Sequence, residues 1–192
     1  GCMPSKVMIQ IAEEYYRRTH FGQFGIDGHA GLSLDITEAM KHIQELRDGF
    51  VHGVVSRSTA NLPSDVFIQD YARLLEPTLI EAAGQRFRAK AVVVATGSTP
   101  VVPAPWRALG ERVITTDEVF ELTDLPRAMA IVGMGTIGLE LGQSLARMGI
   151  EITGFDQAAR VAGITDPEVN QTALELMREE FAIHLGTTAS LA

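Results

Sequence analysis

Cysteine is almost missing from this 192-residue chain: Cys2 stands alone. One thiol cannot build an internal disulfide framework. Such scarcity suits a reducing compartment, so a cytoplasmic location is expected. Long apolar runs are lacking too. None approaches the ~18 residues of a membrane span, and no stretch has the layout of a signal peptide. Positive charge is in deficit, with 16 Lys and Arg against 24 Asp and Glu, a formal net charge of −8 and a pI near 5.1. A nucleic-acid partner requires a basic face, and this balance argues against one. The chain also lacks an initiating methionine and opens at Gly1-Cys2, as an internal piece of a longer protein would. Against these absences stands a hydrophobic content of 46% in 20.8 kDa, enough for one or two domains with a sizeable core.

Residues 1–20 read as a helix, with Val7, Ile11 and Tyr15, and Met8 and Tyr16, recurring at three- and four-residue spacing. Pro4 sits where a first turn tolerates proline, which places Cys2 just before a helix N-terminus, where the thiolate is favoured. From the residues alone Cys2 is either a reactive thiol or a small buried hydrophobe. Residues 21–34 read as a loop. A second helix is expected from Asp35, in a capping-box pair with Glu38, to about Arg57. Its expected buried stripe is Met40, Ile43, Leu46, Phe50 and Val54. His42 and His52 on that helix have no cysteine or acid at metal-ligand spacing, so no metal site is expected.

From Val66 to Ala95 the pattern becomes strand-like: 66–69, 72–75, 78–82, around Phe87, and 91–95, with turns at Pro77 and at Ala83-Gly84-Gln85. This reads as a small meander. The apolar run AVVVA at 91–95 is expected to be buried on both faces. It ends in Thr96-Gly97-Ser98-Thr99-Pro100, either a turn facing a ligand or a plain strand exit. A proline-punctuated connector, 101–126, follows, with a short helical stretch near Asp117 to Leu122.

Ala128 to Asp156 is the organising stretch. An apolar strand, 128–132, runs into Gly133-Met134-Gly135-Thr136-Ile137-Gly138, then a helix to about Met148, then a second strand, Glu151 to Phe155, ending on Asp156. In such a turn the first glycine permits a tight bend, the second lets a pyrophosphate approach the backbone, and the third lets helix and strand pack closely. The helix N-terminus then offers N–H groups and a positive dipole end to phosphates. Asp156, 18 residues past Gly138, stands near the ~20 expected of the acid that binds the adenosine ribose. That carboxylate favours NAD over NADP, with Arg160 four residues on as a possible partner for a 2′-phosphate. A structural glycine turn is the alternative. Further on, Asp166 caps a helix with Pro167 at its first position, running to about Phe181, and a third apolar segment spans about 183–191.

Three motifs in order, Gly1-Cys2-Met3-Pro4-Ser5-Lys6, Ala95-Thr96-Gly97-Ser98-Thr99-Pro100 and Gly133-Met134-Gly135-Thr136-Ile137-Gly138-Leu139-Glu140, cover essentially the whole chain. The set resembles the class I pyridine nucleotide–disulfide oxidoreductases, most closely their dihydrolipoamide dehydrogenase branch. The resemblance implies an α/β fold of two Rossmann-like nucleotide-binding lobes, both incomplete here, with a β-meander insertion. Residues 1–118 would belong to an FAD-binding domain and 119–192 to the first part of an NAD-binding domain. It implies FAD and NAD as cofactors, and electrons passing between dihydrolipoamide, a redox cysteine pair, flavin and NAD. A mercuric reductase or flavin transhydrogenase of the same family is the alternative, as is a nucleotide-binding piece without redox activity.

The same resemblance makes Cys2 the second member of a CxxxxC pair, facing the flavin, with its partner five positions earlier and outside this chain. Lys6 would pair with Glu140 beside the flavin and the nicotinamide. Without the resemblance, Glu140 reads as a first-turn carboxylate on the helix dipole. Thr96, Gly97 and Ser98 would line the FAD cavity and Ala72 would lie near the adenine, although Asp70 and Tyr71 depart from the family's pattern there. The implied partner is a lipoyl-bearing protein or another dithiol, and the intact protein would be a homodimer. The piece itself would be inactive.

Overall fold

The computed structural model describes residues 2–190. They divide into two compact units. One holds the residues up to Arg47 together with those from Val102 onward, and the other holds Asp48–Val101.

In the first unit, helix α1 spans Cys2–Tyr16 and buries Pro4, Ser5, Val7, Met8 and Ala12. Of the expected stripe Val7 and Met8 are buried, while Ile11, Tyr15 and Tyr16 are only half-buried. The Ser5 hydroxyl donates to the Cys2 carbonyl at 3.1 Å and so closes the first turn. Helix α2, Ile36–Ser58, is capped as expected, with the Glu38 amide donating to Asp35 at 3.1 Å. It starts in this unit and runs on into the other. A 3-10 turn at Val119–Glu121 buries Val119 and Phe120. The Gln44 amide holds this turn by donating to the carbonyls of Phe120 and Leu122, each at 3.1 Å.

The nucleotide-fold portion is a three-stranded parallel sheet in the order β4 (Ala128–Val132), β5 (Glu151–Phe155), β6 (Ala182–His184). Helices α3 (Thr136–Arg147) and α4 (Pro167–Arg178) form the crossovers. The Asp166 side chain accepts from the amides of Glu168 and Val169, each at 3.0 Å, and Pro167 opens α4. The expected strand–helix–strand–helix order is thus observed. α4 stops at Arg178, short of Phe181, because Phe181 turns inward to the core at 6% exposure. The third apolar segment is a strand only over 182–184, and the end expected at Leu191 lies outside the described residues. Met8, Ala12, Met40, Ile43, Phe120, Met134, Leu145, Ile152 and Val161 share one core.

In the second unit, β1 (Arg73–Glu76), β2 (Leu79–Ala82) and β3 (Gln85–Arg88) form an antiparallel meander. Ala83 and Gly84 both have positive φ, 51° and 70°, the two-residue hairpin geometry whose twist suits the flanking strands.

Three expectations are corrected here. Residues 66–69 form no strand. AVVVA at 91–95 is not a buried strand: it pairs with nothing among the described residues, and Val93 and Val94 are 88% and 71% exposed. A run with the composition of a central strand still needs neighbours on both edges, and none is supplied. Likewise only the first half of the α2 stripe, Met40 and Ile43, is buried. Leu46, Phe50 and Val54 are exposed, because an apolar stripe is buried only where another element lies over it, and these three are left uncovered.

Candidate functional site

The glycine turn joins β4 to α3. Gly133 has φ +106°, a conformation that L side chains rarely adopt. At Gly138 a Cβ would fall 1.8 Å from the Gly133 carbonyl oxygen, so turn and helix pack backbone to backbone. Gly135 differs from both. Its φ of −68° and ψ of −176° suit any residue, and a Cβ there would meet no atom within 4 Å. Nothing within the chain requires glycine at 135. What its missing side chain leaves is open space against the start of α3, whose N-terminus carries no side-chain cap. Thr136 and Ile137 are exposed beside it. These features fit a bound pyrophosphate, which needs backbone approach and N–H donors.

Met134 plays an inward part. It is fully buried, and its thioether covers Gly154 of β5, where a Cβ would stand 2.4 Å from Sδ. Its main-chain N–H donates to Oδ2 of Asp156 at 2.6 Å, while Oδ1 accepts from the Ala158 amide at 2.8 Å. The half-buried Asp156 therefore holds the turn through one oxygen and its own loop through the other. Each carboxylate oxygen keeps lone-pair capacity for a further donor, such as a ribose hydroxyl. Arg160 is exposed nearby in sequence.

Lys6 of α1 forms an ion pair with Glu140 of α3. The expected pair is thus in contact. Lys6 is 63% exposed and Glu140 25%; a pair so open to water contributes only about 0–1 kcal/mol to stability. Cys2, four residues before Lys6, is a free and exposed thiol on the first turn of α1.

Thr96, Gly97 and Ser98 lie in the second unit, all exposed, with Gly97 at φ +75°. Ala72 is exposed just before β1.

Sequence reasoning missed an ion cluster at the far end of α3. Arg147 donates through Nε and Nη2 to the two oxygens of Glu180, at 2.6 and 2.8 Å, and through Nη1 to Glu13 of α1. Its guanidinium also lies 4.3 Å from the centroid of the Tyr16 ring. Gln143 completes the cluster by donating to Glu180 at 2.7 Å. The Glu180 hydrogen bonds raise the Arg147 pKa further, against a smaller opposing effect of burial. Burial pushes the Glu180 carboxyl up, but the hydrogen bonds from Arg147 and Gln143 and the Arg147 charge outweigh it and hold it below its ordinary value. The signal that could have found this cluster is spacing: Lys6 to Glu13 and Glu140 to Arg147 are both seven residues.

Parallel sheet, glycine turn and terminal carboxylate together define a Rossmann-like nucleotide-binding fold. Residues 1–191 match the family described as pyridine nucleotide-disulphide oxidoreductase, and the chain belongs to that family. It is 28% identical over 193 residues to a dihydrolipoyl dehydrogenase of Bacillus subtilis, covering 94% of this chain and 40% of that protein. A dihydrolipoyl dehydrogenase of Pseudomonas aeruginosa is 32% identical over 189 residues, covering 93% and 39%. A mercuric reductase of Lysinibacillus sphaericus is 27% identical over 183 residues, covering 94% and 33%. Among solved structures, the HOCl-induced flavoprotein disulfide reductase RclA from Escherichia coli superposes with a TM-score of 0.75 at 20% identity. That match covers 99% of this chain and 40% of that one, and it shows the shared fold. The chain thus spans two fifths or less of each of these relatives.

Proposed function

We propose that the whole protein is an FAD-dependent dithiol–disulfide oxidoreductase that passes electrons between dihydrolipoamide, a redox cysteine pair, flavin and NAD. The observation that carries this reading is the Lys6–Glu140 pair. It joins the helix bearing an exposed thiol to the helix that follows the glycine turn. Bound FAD and NAD would supply the two-electron and hydride chemistry. The chain's own residues then have separate tasks. Gly133, Gly135 and Gly138, with the amides of Thr136 and Ile137, receive the dinucleotide phosphates, and the Met134 backbone braces that turn. Asp156 accepts from the ribose and disfavours a 2′-phosphate. Lys6 places a positive charge where negative charge builds up, and Glu140 orients it. Cys2 is the thiol nearest the flavin. Thr96, Gly97 and Ser98, with Ala72, serve the FAD side. In this reading 1–118 belongs to the FAD-binding domain and 119–192 to the NAD-binding domain. The whole protein is a cytoplasmic homodimer that meets a lipoyl-bearing partner.

The similarity to a mercuric reductase supports a second substrate, Hg2+, on the same electron path. The test is an absorption spectrum and two assays on the full-length protein: NAD reduction by dihydrolipoamide, and NAD(P)H oxidation by Hg2+. A yellow protein active in the first assay supports the leading reading, and activity in the second alone supports the rival. A colourless full-length protein without either activity overturns both. The 192-residue chain alone is expected to be colourless and inactive, because the partner cysteine and the FAD phosphate turn that the resemblance implies are not among its residues.

A further inference from the structure

Two ionic contacts join α1 to α3, and each links residues separated by 134 in sequence: Lys6 to Glu140 and Glu13 to Arg147. Equal separations mean that the two helices run parallel and in register. Seven residues is two helical turns, so both contacts lie along one seam about 10 Å apart. Between them Met8 and Ala12 of α1, and Ser144 and Leu145 of α3, are buried at 3% exposure or less. The polarity is inverted from one contact to the next. α1 presents a cation and then an anion, and α3 an anion and then a cation. A slip of two turns would bring Lys6 against Arg147 or Glu13 against Glu140, like charge on like. The far contact is also the better anchored of the two. Arg147 is only 18% exposed, its fork is held on both oxygens of Glu180, and Tyr16 of α1 lies under its guanidinium. Lys6, by contrast, is an open side chain that nothing else described holds in place.

We propose that Arg147 is a positioning residue: through Glu13 and Tyr16 it fixes the register of α1 on α3, and so holds Lys6 at Glu140. The consequence for turnover rests on the reading above, that the Lys6–Glu140 pair serves the flavin and nicotinamide; the register itself does not. Arg147 and Glu180 belong to the nucleotide-fold portion, so the arrangement ties the thiol-bearing helix to the body that carries the glycine turn. A lysine at 147 keeps the charge but loses the planar fork and the face-on contact with Tyr16, and it should restore little.

The experiment reads Lys6 directly. The full-length protein and its E13Q, R147M, R147K and E140Q variants are pulse-labelled with acetic anhydride, and acylation of each lysine is quantified by mass spectrometry. Contact with Glu140 occupies the Lys6 amine, so E140Q sets the fully released rate. E13Q and R147M should each raise Lys6 labelling about threefold or more, with R147K between them and the unmutated protein, and with Lys41 and Lys90 unchanged. E13Q removes the ionic contact to α1 and leaves the Tyr16 contact and the Arg147–Glu180 fork in place, so it tests the Glu13 link even if R147M fails to fold. Unmutated Lys6 rates in E13Q, with a raised rate in E140Q, would overturn the proposal, as would a uniform rise at all lysines. Selective release of Lys6 with turnover unchanged supports the register role and counts instead against the site reading.

Discussion

The main-chain N–H of Met134 donates to Oδ2 of Asp156 at 2.6 Å, so the carboxylate that ends β5 braces the glycine turn that ends β4. One residue thus fixes the turn's geometry, apart from the ribose role proposed for it. Asp156→Ala deprives the amides of Met134 and Ala158 of their acceptor, at a cost of about 1–3 kcal/mol. Its thermal unfolding in the absence of dinucleotide should fall by several degrees, and NADH affinity in the full-length protein by tenfold or more. Asp156→Asn keeps one acceptor oxygen but turns an NH2 donor toward the other main-chain N–H, so it should recover at most part of the stability and none of the discrimination against NADPH. If D156A melts like the unmutated protein, the carboxylate is not a brace.

Gly135 and Gly138 are only three residues apart, yet substitutions there should fail in opposite ways. Gly135→Val enters open space with ordinary backbone angles, so stability should change by no more than about 0.5 kcal/mol while NADH binding is lost. Gly138→Ala drives a methyl group into the Gly133 carbonyl. It should destabilise by about 1–3 kcal/mol or more, as overpacking does. Calorimetry paired with NADH fluorescence titration separates the two. Intact NADH affinity in G135V would refute the phosphate placement.

Acid should loosen the Arg147 cluster in a predictable direction. The Glu180 carboxyl is held below its ordinary value, with the hydrogen bonds from Arg147 and Gln143 outweighing burial. A depressed folded-state pKa stabilises the fold above the unfolded value, about 4.3 for a glutamate, and that contribution disappears as pH falls through the folded value. Stability of the unmutated protein should therefore decline below about pH 4.5. Glu180→Gln should already be less stable at neutral pH, by about 1–3 kcal/mol, and its pH profile should be flatter in that acid range. Denaturant midpoints at pH 7 and pH 4 test this, and parallel declines in both proteins would contradict it.

Local chemistry made much of this fold readable in advance. Asp35 and Asp166 cap the helices they precede, Ala83-Gly84 turns the hairpin, and the β4–α3–β5 unit closes on Asp156 as its spacing implied. What stayed hidden depends on partners far away in sequence. The α2 stripe is continuous as a pattern, yet Leu46, Phe50 and Val54 stay wet because periodicity reports what a face can bury and not what arrives to cover it. Met134 occupies a variable position of the motif, and its inward thioether is announced only by Gly154, a glycine inside a strand, which marks a close approach. The pairing of Lys6 with Glu140 came from family likeness. Its echo in Glu13 and Arg147 required the two helices to be seen side by side.

The unpaired run at 91–95 has a consequence for how this chain behaves in a tube. Five residues with no charge or proline, three of them valine, form a bare segment whose main-chain groups have no ladder partners among the described residues. Such windows template association between copies, and natural sequences blunt them with charged residues at the flanks. Here Lys90 guards one end, and Thr96 and Gly97 leave the other without a charge. Made alone, the 192 residues should scatter light at concentrations where the full-length protein stays clear, and Val93→Lys should restore clarity. That substitution sits on an 88% exposed side chain, so its benefit would come from colloidal repulsion and not from any gain in folding.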